Sequence, residues 1–161
     1  MMKFSWAKLI VSVVLVVWYF AMPQYSFGGY DIATYGTIWE HLLYPLSHAN
    51  VWHLGANVVC LWMITCRLHL LGSYFVAVGC SFLPCFVSEA TLGVSGVLFA
   101  IVGMSWGRVG RFKDMIWKNK WFLLIPLFLP HVNGMLHLYC LVAGYLVGRC
   151  FGKATYRTDW V

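Results

Sequence analysis

The chain has 161 residues, of which 61% are hydrophobic and 10% are charged, and its formal net charge is +6. So few charged side chains cannot cover a soluble globule of this size, so the composition excludes a soluble enzyme and predicts an integral membrane protein. The basic residues do not follow one aromatic-rich face, which argues against nucleic acid as a partner.

Apolar stretches predict helices at about 7–22, 51–67, 70–88, 94–108, 117–131 and 136–151. A membrane-spanning helix needs about 20 residues, so six of them use nearly the whole chain. We therefore predict an all-α, polytopic membrane protein, with one domain over residues 1–161 folded as a compact bundle of six transmembrane helices.

The first predicted helix follows Lys3 and includes Lys8, and it resembles a secretory signal sequence. No small-x-small cleavage site follows its apolar run, so we expect the helix to be retained. The connection at about 23–50 begins with Pro23 and is rich in aromatic side chains, which favours a position in the membrane interface.

The distribution of charge predicts the topology. If the N-terminus is cytoplasmic, all eleven Lys and Arg residues fall on the cytoplasmic side, whereas Asp31, Glu40 and Glu89 fall on the outer side. This bias follows the positive-inside rule, so both termini are expected in the cytoplasm. A short chain without a targeting extension or soluble appendage favours the inner (plasma) membrane of a bacterium.

Polar side chains occur at the outer ends of three predicted helices. His53 and Asn57 begin the second helix. Ser95 begins the fourth helix and His137 begins the sixth, so all four side chains lie near the outer face. Polar groups inside a membrane are costly and usually line a cavity or a bundle interior, so this convergence predicts a functional site.

Ser95 lies between Gly93 and Gly96 in the sequence G-x-S-G. The glycines remove bulk, so the Ser95 hydroxyl and its own N–H can both face a substrate carbonyl, as in serine hydrolases. The nucleophile elbow of soluble α/β-hydrolases, G-x-S-x-G, would need glycine where this chain has Val97.

A serine hydroxyl is a weak nucleophile at neutral pH and needs a base such as imidazole, for which His137 is the candidate. Small residues at helical spacing predict close packing of the fourth and sixth helices, which would bring Ser95 and His137 within hydrogen-bond reach. The small residues are Gly96, Ala100, Gly103 and Gly107 on the fourth helix and Cys140, Gly144, Gly148 and Gly152 on the sixth.

Other interpretations stay open. Ser95 is also placed to cap its helix, His137 to bond a neighbouring helix, and His131 is a rival base off the small-residue face. The predicted helices contain no carboxylate for a triad, and Glu89 is expected to be a solvated loop charge. The sequence has neither H-E-x-x-H nor a pair of intramembrane Asp residues, so we predict no metal site and no cofactor.

His53 and Asn57 are four residues apart, so they point the same way on a helix. Their side chains and the Ser95 N–H could donate hydrogen bonds to a tetrahedral oxyanion, although His53 and Asn57 could instead bond the outer loop. We expect His48 to fix the loop. His41 and His69 have no evident partner in the sequence and are interpreted as structural.

In this order, these motifs resemble the rhomboid family of intramembrane serine proteases, and the resemblance extends from Trp39 to Gly152. The motifs that carry it are Trp39, Pro45-Leu-Ser-His48, His53-Leu-Gly-Ala-Asn57, Leu71-Gly-Ser73, Gly93-Val-Ser-Gly96, and His137 with Gly144 and Gly148.

The resemblance implies a six-helix fold with Ser95 as nucleophile, His137 as general base and acid, and His53 and Asn57 at the oxyanion hole. It implies that the protein works in the lipid bilayer on transmembrane helices of other proteins and cleaves them near the outer face. The alternative is a non-catalytic rhomboid-like protein that binds or escorts membrane clients. A third alternative is a small transporter or channel, but such a protein would need polar groups that continue across the bilayer.

Four residues depart from the family pattern. Glu40 stands where Arg is common and Leu68 where the family tends to have Glu. Phe99 stands where a Tyr often stacks on the catalytic His, so the ring is kept without its hydroxyl. Cys140 replaces a Gly and is expected to widen the gap between the fourth and sixth helices slightly.

Overall fold

The computed structural model of the protein describes residues 5–23, 36–64, 69–83, 91–109, 113, 116–117, 120 and 133–151. The regular structure of these residues is helical, without strands, which confirms the predicted all-α class for this part of the chain. The described helices are α1 (Trp6–Ala21), α2 (Ile38–Leu43), α3 (Val51–Met63), α4 (Leu70–Ser81), α5 (Ser95–Val109) and α6 (Gly134–Phe151), and a 3-10 turn at Tyr44–Leu46 follows α2.

The ends of two helices differ from the prediction. α3 ends at Met63 rather than at 67, because Ile64 adopts extended backbone angles. α4 ends at Ser81 rather than at 88, and the N–H of Leu83 bonds to the carbonyl of Cys80 in a closing turn. The next residue in the sequence is Pro84, which disfavours helical angles at Leu83. The predicted helix 117–131 lies outside the described residues except at 117 and 120.

The connection at 23–50, for which no helix was predicted, contains α2. Thr37 and Glu40 form a capping box, in which the Thr37 N–H donates to Glu40 Oε2 at 2.6 Å and the Glu40 N–H donates to Thr37 Oγ1 at 3.3 Å. The bond from the Thr37 N–H, and then that from its hydroxyl, lowers the pKa of the Glu40 carboxyl. Glu40 thus holds the start of α2.

Side chains attach α2 to α4. His41 Nδ1 lies 2.7 Å from Ser81 Oγ, and the His41 ring stacks on Phe82 at 3.6 Å between centroids. Because the Ser81 hydroxyl donates to the Val78 carbonyl at 2.6 Å, its oxygen accepts from His41. The sequence offered no partner for His41, and the structure supplies one.

Lys8 joins α1 to the end of α3. Its side chain is buried, and Nζ donates to the carbonyls of Trp62, at 3.1 Å, and Ile64. The last carbonyls of a helix have no intrahelical partner, and a cation there also opposes the negative end of the helix dipole. The start of α1 and the end of α3 therefore lie at the same end of the bundle.

We expect Lys8→Met to lower the free energy of unfolding by about 2 kcal/mol, because it removes charged hydrogen bonds from two partly buried carbonyls at the end of α3. Thermal denaturation in detergent measures the change. The matched control is Lys113→Met, since Lys113 is exposed. Equal melting temperatures for the two variants would contradict the assigned role of Lys8.

Helix α5 is the centre of the bundle and is buried along most of its length. Its closest neighbour is α6, and the two helices touch backbone to backbone. A Cβ added at Gly103 would lie 2.2 Å from the Leu141 carbonyl oxygen, and one at Gly148 would lie 2.2 Å from that of Met104. The small residues predicted to face each other therefore do so, except Gly152, which lies outside the described residues.

Among the described residues, Gly134–Phe151 is long and apolar enough to cross a bilayer. The other apolar helices, α1, α3, α4 and α5, are shorter than this one. Helix α1 exposes apolar side chains such as Ile10, Val17 and Phe20, each at least 60% accessible, as is typical of helices that face lipid.

Candidate active site

The segment from Thr91 to Val94 leads into α5 and holds Ser95 at the start of the helix. Gly93 has φ of +93°, in the left-handed region that favours glycine. Its N–H donates to the Tyr44 carbonyl at 3.0 Å, and the N–H of Leu98 reaches back to the carbonyl of Val94. Ser95 is thus the first residue of α5, and its N–H is one of those that lack an intrahelical acceptor.

His53 and Asn57 lie against this turn. A Cβ at Gly93 would stand 2.9 Å from His53 Cε1 and 3.3 Å from Asn57 Nδ2. The Asn57 side chain is buried, and its Nδ2 has no hydrogen-bond partner among the described residues. The two side chains, one helical turn apart on α3, therefore reach the segment that carries Ser95, and one buried amide donor is available there.

Ser95 and His137 meet at this end of the α5–α6 contact. Ser95 Oγ lies 2.7 Å from His137 Nε2, within hydrogen-bond distance. Ser95 is partly exposed, whereas His137 is 7% exposed. A hydroxyl on a partly exposed residue thus contacts a buried imidazole, which is the geometry that a base-assisted nucleophile needs.

The other nitrogen of His137, Nδ1, is buried and has no hydrogen-bond partner among the described residues. Phe99, one turn after Ser95, stacks on the imidazole with ring centroids 4.6 Å apart and planes 4° from parallel. The only carboxylate side chain among the described residues is that of Glu40, and it accepts a hydrogen bond from Thr37. The His137 ring is therefore held by an aromatic face in this part of the chain.

Tyr44 supports the Ser95 segment and was not singled out in the sequence for this role. It is fully buried, and besides accepting from Gly93 it donates its hydroxyl to the Ala77 carbonyl at 3.0 Å. A Cβ at Gly96 would lie 3.2 Å from that hydroxyl and 3.3 Å from Cys140 Sγ. Its position before Pro45, between two apolar residues, gave no local sign of these distant contacts.

Two further polar residues escaped the sequence analysis. Asn133 Oδ1 accepts from the Leu136 N–H at 3.0 Å, so Asn133 caps the start of α6. Its Nδ2 donates to Thr91 Oγ1 at 2.9 Å. The only sequence sign was an Asn directly before Gly134, a usual N-cap residue type, and its partner Thr91 is distant in the chain.

Two other histidines considered in the sequence, His48 and His69, also have partners in the structure. His48 is fully buried, its Nδ1 lies 3.0 Å from the Leu46 carbonyl oxygen, and its ring lies 5.2 Å from that of His53, consistent with fixing the loop. His69 bonds Arg108, although no partner was evident in the sequence.

Two residues weighed in the sequence, His131 and Glu89, lie outside the described residues. Cys140 is fully buried beside Gly96.

The family model of the Rhomboid domain matches residues 35–155, well over half of the chain, and includes Ser95, His137, His53 and Asn57. Comparison with curated proteins gave no match. The rhomboid family acts on membrane-protein substrates within the bilayer, and most of its members are intramembrane serine proteases. With a family match of this extent, the chain belongs to the rhomboid family and is a membrane protein.

Proposed function

We propose that this protein is an intramembrane serine endopeptidase that uses Ser95 as nucleophile and His137 as general base and acid. The observation that carries the proposal is the 2.7 Å separation of Ser95 Oγ and His137 Nε2. Serine hydroxyls and histidines in membrane helices are costly unless paired, and in this pair Ser95 is partly exposed.

In the proposed acylation step, Ser95 Oγ attacks the scissile carbonyl carbon and passes its proton to His137 Nε2. The tetrahedral intermediate then expels the amine, to which His137 returns the proton. In deacylation His137 takes a proton from a water, and the resulting hydroxide attacks the acyl carbon. The bond between the acyl carbon and Ser95 Oγ then breaks, and His137 returns the proton to Oγ. The cycle consumes one water per peptide bond and needs neither a metal nor a cofactor.

The proposed chemistry makes His137 transiently cationic. Buried positive charge is costly, and the usual remedy is a carboxylate on the second ring nitrogen. The stacked Phe99 ring offers instead a π face at 4.6 Å, which attracts a cation through its quadrupole. We therefore infer a Ser-His dyad supported by Phe99.

Three donors are proposed for the oxyanion. The Ser95 N–H stands at the start of α5, where the positive end of the helix dipole favours negative charge. Asn57 Nδ2 is a buried donor without a partner in the described residues, beside Gly93. His53 lies against the same glycine and is the third candidate. The proposed support from Gly93 and Gly96 is steric: a Cβ added at Gly93 would lie 2.9 Å from His53 Cε1, and one added at Gly96 would lie 3.2 Å from the Tyr44 hydroxyl.

The proposed substrates are transmembrane helices of other membrane proteins, cleaved near the outer face by a polytopic bundle. Ser95 and Arg108 stand at opposite ends of α5, roughly 20 Å apart at the rise of an α-helix. Arg108 contacts His69, at the start of α4, so a basic group lies at the end away from the dyad. By the positive-inside rule that end is cytoplasmic, and we propose cytoplasmic termini and a bacterial inner membrane as the location.

The test is reaction of the detergent-purified protein with a fluorophosphonate, followed by mass mapping. We expect Ser95 Oγ to displace fluoride and form a bond to phosphorus, because His137 can accept its proton. A matched serine is Ser105 on the same helix, whose hydroxyl donates to the Ile101 carbonyl at 2.9 Å. We expect no label at Ser105 and unchanged labelling in Ser105→Ala.

The same preparation is incubated with single-span reporter proteins, and the fragments are sequenced. Cleavage inside or next to the reporter helix supports the proposed activity. A folded protein that takes no label at Ser95 and cleaves no reporter would instead be a family member that binds membrane clients without hydrolysing them.

A further inference from the structure

We propose that the Thr91–Asn133 hydrogen bond positions the two halves of the dyad, so that Thr91 and Asn133 are positioning residues for the reaction. The inference rests on the proposed protease function. It starts from one observation: Asn133 Nδ2 donates to Thr91 Oγ1 at 2.9 Å, and both residues are buried.

The bond runs parallel to the reacting pair. Thr91 precedes Ser95 by four residues, and Asn133 precedes His137 by four residues. The Thr91–Asn133 and Ser95–His137 pairs both span 42 residues of sequence. The same two chain segments are therefore linked twice, once by the reacting groups and once by a bond between side chains without a reacting role.

On the α6 side, Asn133 controls where the helix begins. Its Oδ1 accepts from the Leu136 N–H at 3.0 Å, and its carbonyl accepts from the His137 N–H at 3.3 Å. Because Oδ1 is engaged by an N–H, the amide nitrogen is the atom that faces Thr91, which identifies donor and acceptor. One residue thus defines the first turn of α6, which carries His137, and extends a donor to the other segment.

On the α5 side, Thr91 is followed by a turn that Tyr44 and the α3 side chains hold. The Gly93 N–H donates to the Tyr44 carbonyl, and the Gly93 backbone packs against His53 and Asn57. These contacts attach the turn to the connection at 23–50, which contains Tyr44, and to α3. The bond from Asn133, next to the Ser95–His137 contact, attaches the same turn directly to the start of α6.

The backbone-to-backbone contacts between α5 and α6 set how closely the helices approach, but they begin deeper in the bundle, at Ala100 and Gly144. Beside Ser95, the contact of Gly96 with α6 is the Cys140 side chain. At the mouth of the site, the start of α6, which carries His137, could still move relative to Ser95 without breaking these backbone contacts. A displacement of about 1 Å between reacting groups can cost on the order of 100-fold in rate. A buried hydrogen bond one turn from the dyad restrains that movement.

The test compares Thr91→Val, which replaces the hydroxyl by a methyl group, with Thr91→Ser, which keeps the hydroxyl. We expect Thr91→Val to lower kcat for reporter cleavage, and the rate of fluorophosphonate labelling, by on the order of 10- to 100-fold with KM unchanged. Thr91→Ser should retain most of both rates. Asn133→Ser approaches the bond from the other side, since Ser still caps a helix but is too short to reach Thr91.

Because the two residues share one bond, Thr91→Val with Asn133→Ser should lose no more activity than the worse single variant. Equal kcat in wild type and the folded Thr91→Val or Asn133→Ser variants would overturn the positioning role. So would a Thr91→Ser variant as slow as Thr91→Val. Failure of the wild type itself to label or cleave would refute the proposed function instead, so the two failures are distinguishable.

Discussion

Replacing His137 by Asn is expected to remove turnover while leaving the fold intact. Asn occupies a similar space, but it cannot accept the proton from Ser95 at the 2.7 Å contact. General-base catalysis contributes about 10²- to 10⁴-fold, so kcat should fall by at least about 10²-fold in a dyad with one base. Reporter cleavage and fluorophosphonate labelling in the same detergent preparation measure the loss.

Ser95→Ala should be inactive as well, and the double variant should lose no more than either single one, because the two side chains act as a unit. Near-wild-type cleavage by Ser95→Ala would remove the nucleophile from the proposal.

The matched control for His137 is His41→Asn. His41 is another buried histidine paired with a serine, but its partner Ser81 donates to a backbone carbonyl and is no nucleophile. We expect His41→Asn to lower the melting temperature but to leave turnover per folded molecule unchanged. If both histidine variants lose activity only in proportion to lost stability, His137 has a structural role alone.

Gly103→Ala is expected to separate α5 from α6 and to damage both stability and activity. Its new methyl group would lie 2.2 Å from the Leu141 carbonyl oxygen and 2.9 Å from the Tyr145 nitrogen, both of them backbone atoms that no rotamer change can move. Overpacking a close-fitting interface costs about 1–3 kcal/mol, and the upper part of that range is expected here. Because α5 carries Ser95 and α6 carries His137, the rate of fluorophosphonate labelling should fall too.

Gly79→Ala is the control for this substitution. A Cβ at Gly79, in α4, meets nothing within 4 Å. Alanine in a helix interior is favoured over glycine by about 0.5–1 kcal/mol, so this variant should be neutral or slightly more stable. Thermal denaturation and labelling of both variants decide the matter. A Gly103→Ala protein that melts and labels like Gly79→Ala would show that the helices tolerate separation.

Several features of the fold and the site were accessible from the sequence. Gly and Ala at spacings of three and four mark a helix face that can approach another closely, and α5 and α6 have such faces. Gly93 and Gly96 indicated little bulk around Ser95, and Gly93 adopts a positive φ, a conformation that favours glycine. These are local properties, because they depend on residues within one or two helical turns.

Other features could not be predicted in this way. Helix α2 has only six residues, too few for a hydrophobic period to emerge, and its capping box depends on the spacing of Thr37 and Glu40 alone. The helix ends at Met63 and Ser81 were set too late because the apolar composition continues past them. Apolarity indicates burial in lipid or core and does not by itself mark where hydrogen bonding stops.

The amino-acid sequence alone was sufficient to predict a membrane-embedded helical protein, its family resemblance and a serine with a candidate base. Hydropathy, charge bias and helical spacing are carried by neighbouring residues, so no partner had to be known. Only the tertiary structure decided which distant groups meet: Tyr44 with Gly93, and Thr91 with Asn133. These contacts join segments many residues apart, and their geometry depends on how closely the glycine faces allow the helices to pack.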